Sequence, residues 1–396
     1  MQYRLTLMFW ALALASLIAC GPSVRFEPGR IEPARLASDA GAAGFDVVST
    51  DVAFPAVVTS NVEFRTLPYS DSVLTELRTR YHLPEVIAGA RDELDAQMRL
   101  KHWVWSKIEN GTPTVEANNA LEILEQAAAG KKFWCSYYAI TYTQCALALG
   151  WQARKIALDH YHEPGGVGSR HHGAAEVWSN QLGKWIYMDS QSDAHYEKNG
   201  VPLSAWEIRA EWLADGGKGV DHVVGVPPDT VHKKPAIVWW DLKDQDETAL
   251  FFWLFYTDDY STWEENSPSK FIFPQDSANA GRIWYQGGKD NLYAHTGYLK
   301  KLFHPTQRLG DVYYTVGVVD ARLTLYEGQT LLLALDTWLP DFSHYEASLG
   351  EGPWQPVAEP SALRWPLAKG NNRLALRTVN QAGVAGPVSR AEMVLE

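Results

Sequence analysis

The chain has 396 residues, too many for one ordinary core and enough for two or three domains. With 46% hydrophobic and 21% charged residues it is a folded globular protein, not a disordered one. The formal charge is −12 and no Lys/Arg block is present, which argues against a nucleic-acid partner. Seventeen tryptophans are an unusual load; most are expected in cores, with a minority able to stack sugar rings.

Residues 1–19 read as an export signal. Arg4 supplies the positive end, and the uncharged run Leu5 to Ala19 is too short to span a membrane and stops at Gly21-Pro22. Its end, Leu17-Ile18-Ala19-Cys20, resembles the lipobox of bacterial lipoproteins. That resemblance implies lipid on Cys20, a mature chain starting there, and a cell-envelope location held to the membrane. Gly21 is not the Asp that retains such proteins in an inner membrane, so the outer membrane is expected where there is one.

Residues 20–60 are rich in Pro, Gly, Ala and Ser and read as a tether with one strand at Phe45 to Val48. Residues 61–235 carry mixed signals. Helices are expected at Arg91 to Asn110 (apolar Leu94, Met98, Val104, Trp105 and Ile108), at Asn119 to Ala129 with an Asn cap, and at Cys135 to Leu149, closed by Gly150. Two strands follow, Ala174 to Trp178 and Lys184 to Asp189. In residues 236–396, short β-rich runs predict a sandwich with an immunoglobulin-like ending: Ile237 to Trp240, Leu250 to Phe255, Val312 to Val319, Leu323 to Leu325, Leu331 to Leu335 and Leu374 to Thr378. The fold class is therefore α+β, followed by a β-sandwich.

Three cysteines are present. With Cys20 lipidated, Cys135 and Cys145 remain, ten residues apart on one expected helix. Their separation of ~15 Å is beyond disulfide reach. Cys135 opens that helix behind Lys131 and Lys132, where the dipole and the lysines favour thiolate; the alternative is a small buried hydrophobe. Cys145 reads as an inert core residue.

The two strands, taken as a hairpin with Asn180-Gln181 at its tip, place His172 directly opposite Asp189. Gly183 could equally belong to a longer turn, and a slip of two residues would make the pair diagonal. A thiol at a helix start, a His and an Asp suit acyl transfer.

The blocks Trp134-Cys135-Ser136-Tyr137-Tyr138-Ala139, Leu149-Gly150-Trp151-Gln152-Ala153-Arg154, His172-Gly173-Ala174-Ala175-Glu176-Val177-Trp178 and Lys184-Trp185-Ile186-Tyr187-Met188-Asp189 resemble the transglutaminase-like branch of the papain-type cysteine enzymes. The resemblance covers residues 90–215. It implies Cys135 as nucleophile, His172 as base and acid, and Asp189 as the group that orients His172. Ala174 stands where that family often has Trp, and Ser190 where it favours Pro.

Asp159, His160, His162, Glu163, His171 and His172 could suggest a metal site, but Gly165, Gly166 and Gly168 among them favour a loop beside the active site. No metal or cofactor is expected. Trp239, Trp240, Trp253, Trp263 and Trp284 could form a glycan-stacking face, or sandwich core. Two function classes follow. One is a cysteine acyl-transfer enzyme acting on a protein, peptide or cell-wall amide, with release to water or an amine. The other is a catalytically silent, anchored module binding polysaccharide or peptidoglycan.

Overall fold

The computed structural model describes residues 29–61, 66–160, 170–215, 217–233, 253–257, 282–285, 304–306 and 308–396. The helices are α1 (Pro33–Ala42), α2 (Ser72–Arg80), α3 (Leu83–Val86), α4 (Glu93–Lys107), α5 (Ala120–Ala128), α6 (Cys135–Ala148) and α7 (Ala205–Asp215). The strands up to the middle of the chain are β1 (Gly29–Arg30), β2 (Val47–Ala53), β3 (Glu109–Asn110), β4 (Lys132–Phe133), β5 (Ala153–His160), β6 (Arg170–Ser179), β7 (Lys184–Met188), β8 (Ala194–Lys198), β9 (Val201–Pro202), β10 (Val220–Val224) and β11 (Val231–Lys233). Later come β12 (Trp253–Thr257), β13 (Arg282–Tyr285), β14 (His304–Thr306), β15 (Asp320–Glu327), β16 (Thr330–Asp336), β17 (Phe342–Leu349), β18 (Gln355–Pro356), β19 (Leu363–Pro366), β20 (Gly370–Asn380) and β21 (Ser389–Leu395).

The helical half is built around α6. All of its residues are buried, so it makes contact on every side. Helices α2, α4 and α5 pack on one flank, and β5 and β6 on the other. Their apolar side chains form one core, from Leu74 and Leu77 through Val104, Ile123 and Tyr142 to Val177 and Met188. Asp92 caps α4 and Asn119 caps α5 by accepting from first-turn amides, which fixes where both helices begin. Trp105, expected on the apolar side of α4, is 44% exposed; its place on the buried stripe is taken by Gln97, Lys101 and Val104.

The sheet beside α6 has the order β14-β13-β12-β5-β6-β7, antiparallel except for the β13–β14 pair. Strands from beyond residue 235 thus extend the sheet of the first domain, and the sheet does not end at the expected boundary. The residues expected at Ile237 to Trp240 lie outside the described residues. Val312 to Val319, expected as a strand, has no strand ladder: Thr315 exchanges bonds with Val58 instead, and alternate residues bury Tyr314, Val316 and Val318 against Trp178 and Trp185.

The C-terminal region is a sandwich of two antiparallel sheets, β1-β15-β16-β19 and β18-β17-β20-β21-β2. Alternation in β20 and β21 turns Leu374, Leu376, Ala391, Met393 and Leu395 toward Leu323, Leu331 and Leu333 of the facing sheet. Residues 29–53, expected as tether, belong to this sandwich. β1 pairs with β15 and β2 with β21. Ile31, Leu36, Ala40 and Phe45 fill its core, and Pro33 at the first turn of α1 suits a helix start. Small residues gave this segment the composition of a linker, while four apolar anchors make it part of a fold. The helical half is thus inserted between two parts of the sandwich.

Candidate active site

Cys135 is the first residue of α6 and is buried. Trp134 is extended at the N-cap and contributes no side-chain cap, so the sulfur stands at the positive end of the helix with no capping side chain in competition. Lys132 ion-pairs with Glu109 at the surface and spends its charge there. Cys145 is fully buried nearly three turns on, and burial pushes its thiol well up. Neither Cys135 nor Cys145 is in a disulfide.

His172 and Asp189 meet on β6 and at the end of β7. The register pairs Ala175 with Met188 and Ser179 with Lys184, which leaves Asn180 to Gly183 as the turn. Gly183 has φ +62 and belongs to that turn. This is the two-residue slip from the tightest hairpin, so His172 and Asp189 are diagonal neighbours on one face rather than directly opposed. The diagonal is bridged nonetheless: His172 Nε2 lies 3.1 Å from Asp189 Oδ2. The Cys135 side chain also acts on this imidazole, helping Asp189 to favour its charged form.

The Asp189 carboxylate is itself held, because Oδ1 accepts from the backbone N–H groups of Gln191 at 3.0 Å and Ser192 at 3.2 Å. Burial works against its charge, but His172 and these donors hold it below the usual carboxylate value. Burial likewise opposes an imidazolium at His172, yet Asp189, then the Cys135 sulfur, push it up to about 10. A buried carboxylate, an imidazole and a sulfur in this order are an arrangement that can pass a proton away from a thiol.

Two features outside the expected residues fix this geometry. Gly173 lets β6 approach the first turn of α6: a Cβ there would lie 2.8 Å from Ser136 Oγ and 3.0 Å from Ser136 Cα. Arg154 and Glu176 are direct partners across β5 and β6 and form a buried ion pair at 2.8 Å. Glu176 also accepts from the Ala205 backbone and the Tyr313 hydroxyl, and the Arg154 guanidinium lies 3.9 Å over the Trp185 ring. Arg154 and Glu176 stood in the quoted blocks, but spacing alone does not announce their pairing.

Cys20 lies outside the described residues, as do His162, Glu163, Trp239, Trp240 and Trp263 and the side chains of Asp159, His160, His171, Trp253 and Trp284. Among the described residues no group of three or more His, Cys, Asp or Glu side chains could hold a metal, and no helix is long and apolar enough to cross a membrane.

Residues 82–190 match the family model of the transglutaminase-like superfamily. This segment is a transglutaminase-like domain. It holds Cys135, His172 and Asp189, together with α4, α5 and α6. Among solved structures, one described as a putative cysteine protease from Cytophaga hutchinsonii matches at 12% identity over 51% of this chain and 68% of that one, with a TM-score of 0.25. No curated protein matches the chain.

Proposed function

We propose that the chain is a cell-envelope cysteine acyl-transfer enzyme acting on a protein or peptide amide, cell-wall peptide included, and held to the membrane by lipid on Cys20. The observation that carries this reading is the buried series Cys135–His172–Asp189 at the start of α6. The Cys135 thiolate attacks the amide carbonyl, the S–C bond forms, and the carbonyl electrons move to oxygen. Backbone N–H groups at the start of α6, that of Cys135 first, are the natural donors to that oxyanion. Collapse expels the amine, which takes a proton from the His172 imidazolium. Water or a second amine, its proton accepted by His172, then attacks the acyl-enzyme and releases the thiolate.

The anchor rests on the Leu17-Ile18-Ala19-Cys20 sequence. Residues 21–28 separate Cys20 from β1, which spans at most ~30 Å when extended, so the lipid would keep the sandwich close to the bilayer. The several acyl chains of a lipoprotein anchor stably where a single one does not. The test is turnover of amide-bearing peptides and cell-wall fragments by the full chain against its Cys135→Ala variant, with water and an added amine as competing acceptors. Product from the parent chain and none from the variant is expected; equal product from both overturns the reading. For the anchor, Cys20→Ser is expected to release unlipidated protein, and a membrane-bound, unprocessed Cys20→Ser chain overturns it.

A further inference from the structure

Lys101 stands on the buried stripe of α4, 0% exposed, where an apolar residue would cost less. A buried ammonium loses its hydration and is retained only when its partners are specific. Its partners lie in and beside the loop that follows Asp189. Nζ donates to the Asp193 carbonyl at 2.7 Å and the Gly225 carbonyl at 3.1 Å, and stands 3.3 Å from Asp193 Oδ1. Two carbonyls thus accept from the ammonium, and the Asp193 carboxylate stands beside it as the counter-charge.

The loop is short and closed at its ends. Asp189 and Ala194 exchange both backbone hydrogen bonds at 2.9 Å. Between them, Asp193 sits at φ +50, a left-handed conformation that is unfavourable for an L residue and persists only where the surroundings hold it. Lys101 holds it from one side. His102 Nδ1, 2.7 Å from Asp193 Oδ2, holds it from the other, and the Gly225 N–H donates to the Asp193 carbonyl. The other charged or titratable groups facing this ammonium are Asp189, Glu197 and His195, the last kept neutral by burial and then by the nearby ammonium against the pull of Glu197.

We infer that Lys101 is a positioning residue for the acyl-transfer site: through Asp193 it holds residues 189–194 in the conformation that turns the Asp189 carboxylate onto His172. This rests on the reading of Cys135, His172 and Asp189 given above. The residue touches neither substrate nor the reacting atoms; it acts through Asp189.

The experiment is the pH profile of Cys135 alkylation by iodoacetamide on the full chain, which needs no substrate, with the modified peptide assigned by mass spectrometry. Lys101→Met alone leaves Asp193 without its main counter-charge, so the paired variant Lys101→Met with Asp193→Asn is measured beside it, and circular dichroism reports folding. In the paired variant the profile is expected to move upward by about one pH unit, in the same direction as Asp189→Asn. Adding Asp189→Asn to the pair is expected to move it no further. A folded paired variant with the parent profile, or a shift that adds to that of Asp189→Asn, overturns the inference. A parent chain whose Cys135 reacts only as an ordinary thiol overturns the acyl-transfer reading itself, before Lys101 enters.

Discussion

His172 is buried, and burial alone would keep an imidazole neutral; that it is pushed up to about 10 is the work of Asp189 and then Cys135. The sign of the resulting pH dependence follows. A histidine raised from 6.5 contributes stability that is fully present below 6.5 and lost as the pH climbs to about 10. A carboxylate lowered from 3.8 contributes stability present above that value and lost as the pH falls through its native pKa. Asp189→Asn removes both contributions while keeping the shape. Its melting temperature is therefore expected to fall furthest below the parent's between about pH 4 and 6.5, with the gap closing toward pH 10. A gap that widens above pH 8 would contradict this. Turnover is expected to drop by about 10²-fold in the same variant, because the imidazole loses its orienting acceptor.

At this scale the sequence was legible where chemistry and position coincide: a thiol at a helix start, and a His and an Asp on consecutive strands. It was silent where a residue acts through its neighbours. Lys101 carries a faint signal, a lysine in step with Gln97, Val104 and Ile108 on the buried stripe. Asp193 carries none, since its left-handed backbone belongs to the loop and not to its residue type.

Elements place the site by how closely β6 lies on α6. Gly173 is the contact that sets this approach, because the backbone of Ser136 occupies the space a Cβ would need. Gly173→Ala is expected to cost ~1–3 kcal/mol and to lower turnover at least about tenfold by separating His172 from Cys135. Thermal denaturation and steady-state kinetics on the same preparation check both. Retention of full turnover would show that the sheet and helix have slack the packing does not suggest. The helix bounds were readable from Asn119, Gly130 and Gly150. The hairpin register was not, because Gly183 fits either a two-residue tip or the last place of a longer turn, and side-chain pattern cannot separate registers two apart. The strand expected over Val312 to Val319 failed for a related reason: alternate burial there answers to Trp178 and Trp185, not to a ladder.

The whole molecule is more interlocked than its composition suggests. The sandwich takes strands from both ends of the described chain, and it and the segment leading into it, residues 312–319, touch the helical half at several points. Asn380 donates to the Gly150 carbonyl at 2.7 Å, Trp185 donates to the Tyr314 carbonyl at 2.9 Å, and Arg154 donates to the Val312 carbonyl. Gly150 ends α6 at φ +87 with Ala382 against it, so one glycine serves both the helix stop and the docking of the sandwich. A fragment of residues 66–310 would uncover Trp178 and Trp185 and lose a partner of Arg154. It is expected to aggregate, whereas residues 29–396 unfold in one transition. A monomeric fragment with cooperative melting would contradict this. The discontinuous sandwich was hidden because Ala, Gly and Pro in residues 29–53 resemble a linker, and pairing across the whole chain leaves no local trace.

The central claim is that Cys135, and not Cys145, is the nucleophile, activated by His172. It is tested most directly by mapping the acyl adduct left by a short-lived activated ester, by mass spectrometry, on the parent chain and on His172→Ala. The account predicts an acyl group on Cys135 within the dead time of mixing, none on Cys145, and loss of the adduct in His172→Ala. Equal modification of the two thiols, or an adduct on Cys135 that forms as fast without His172, would contradict it.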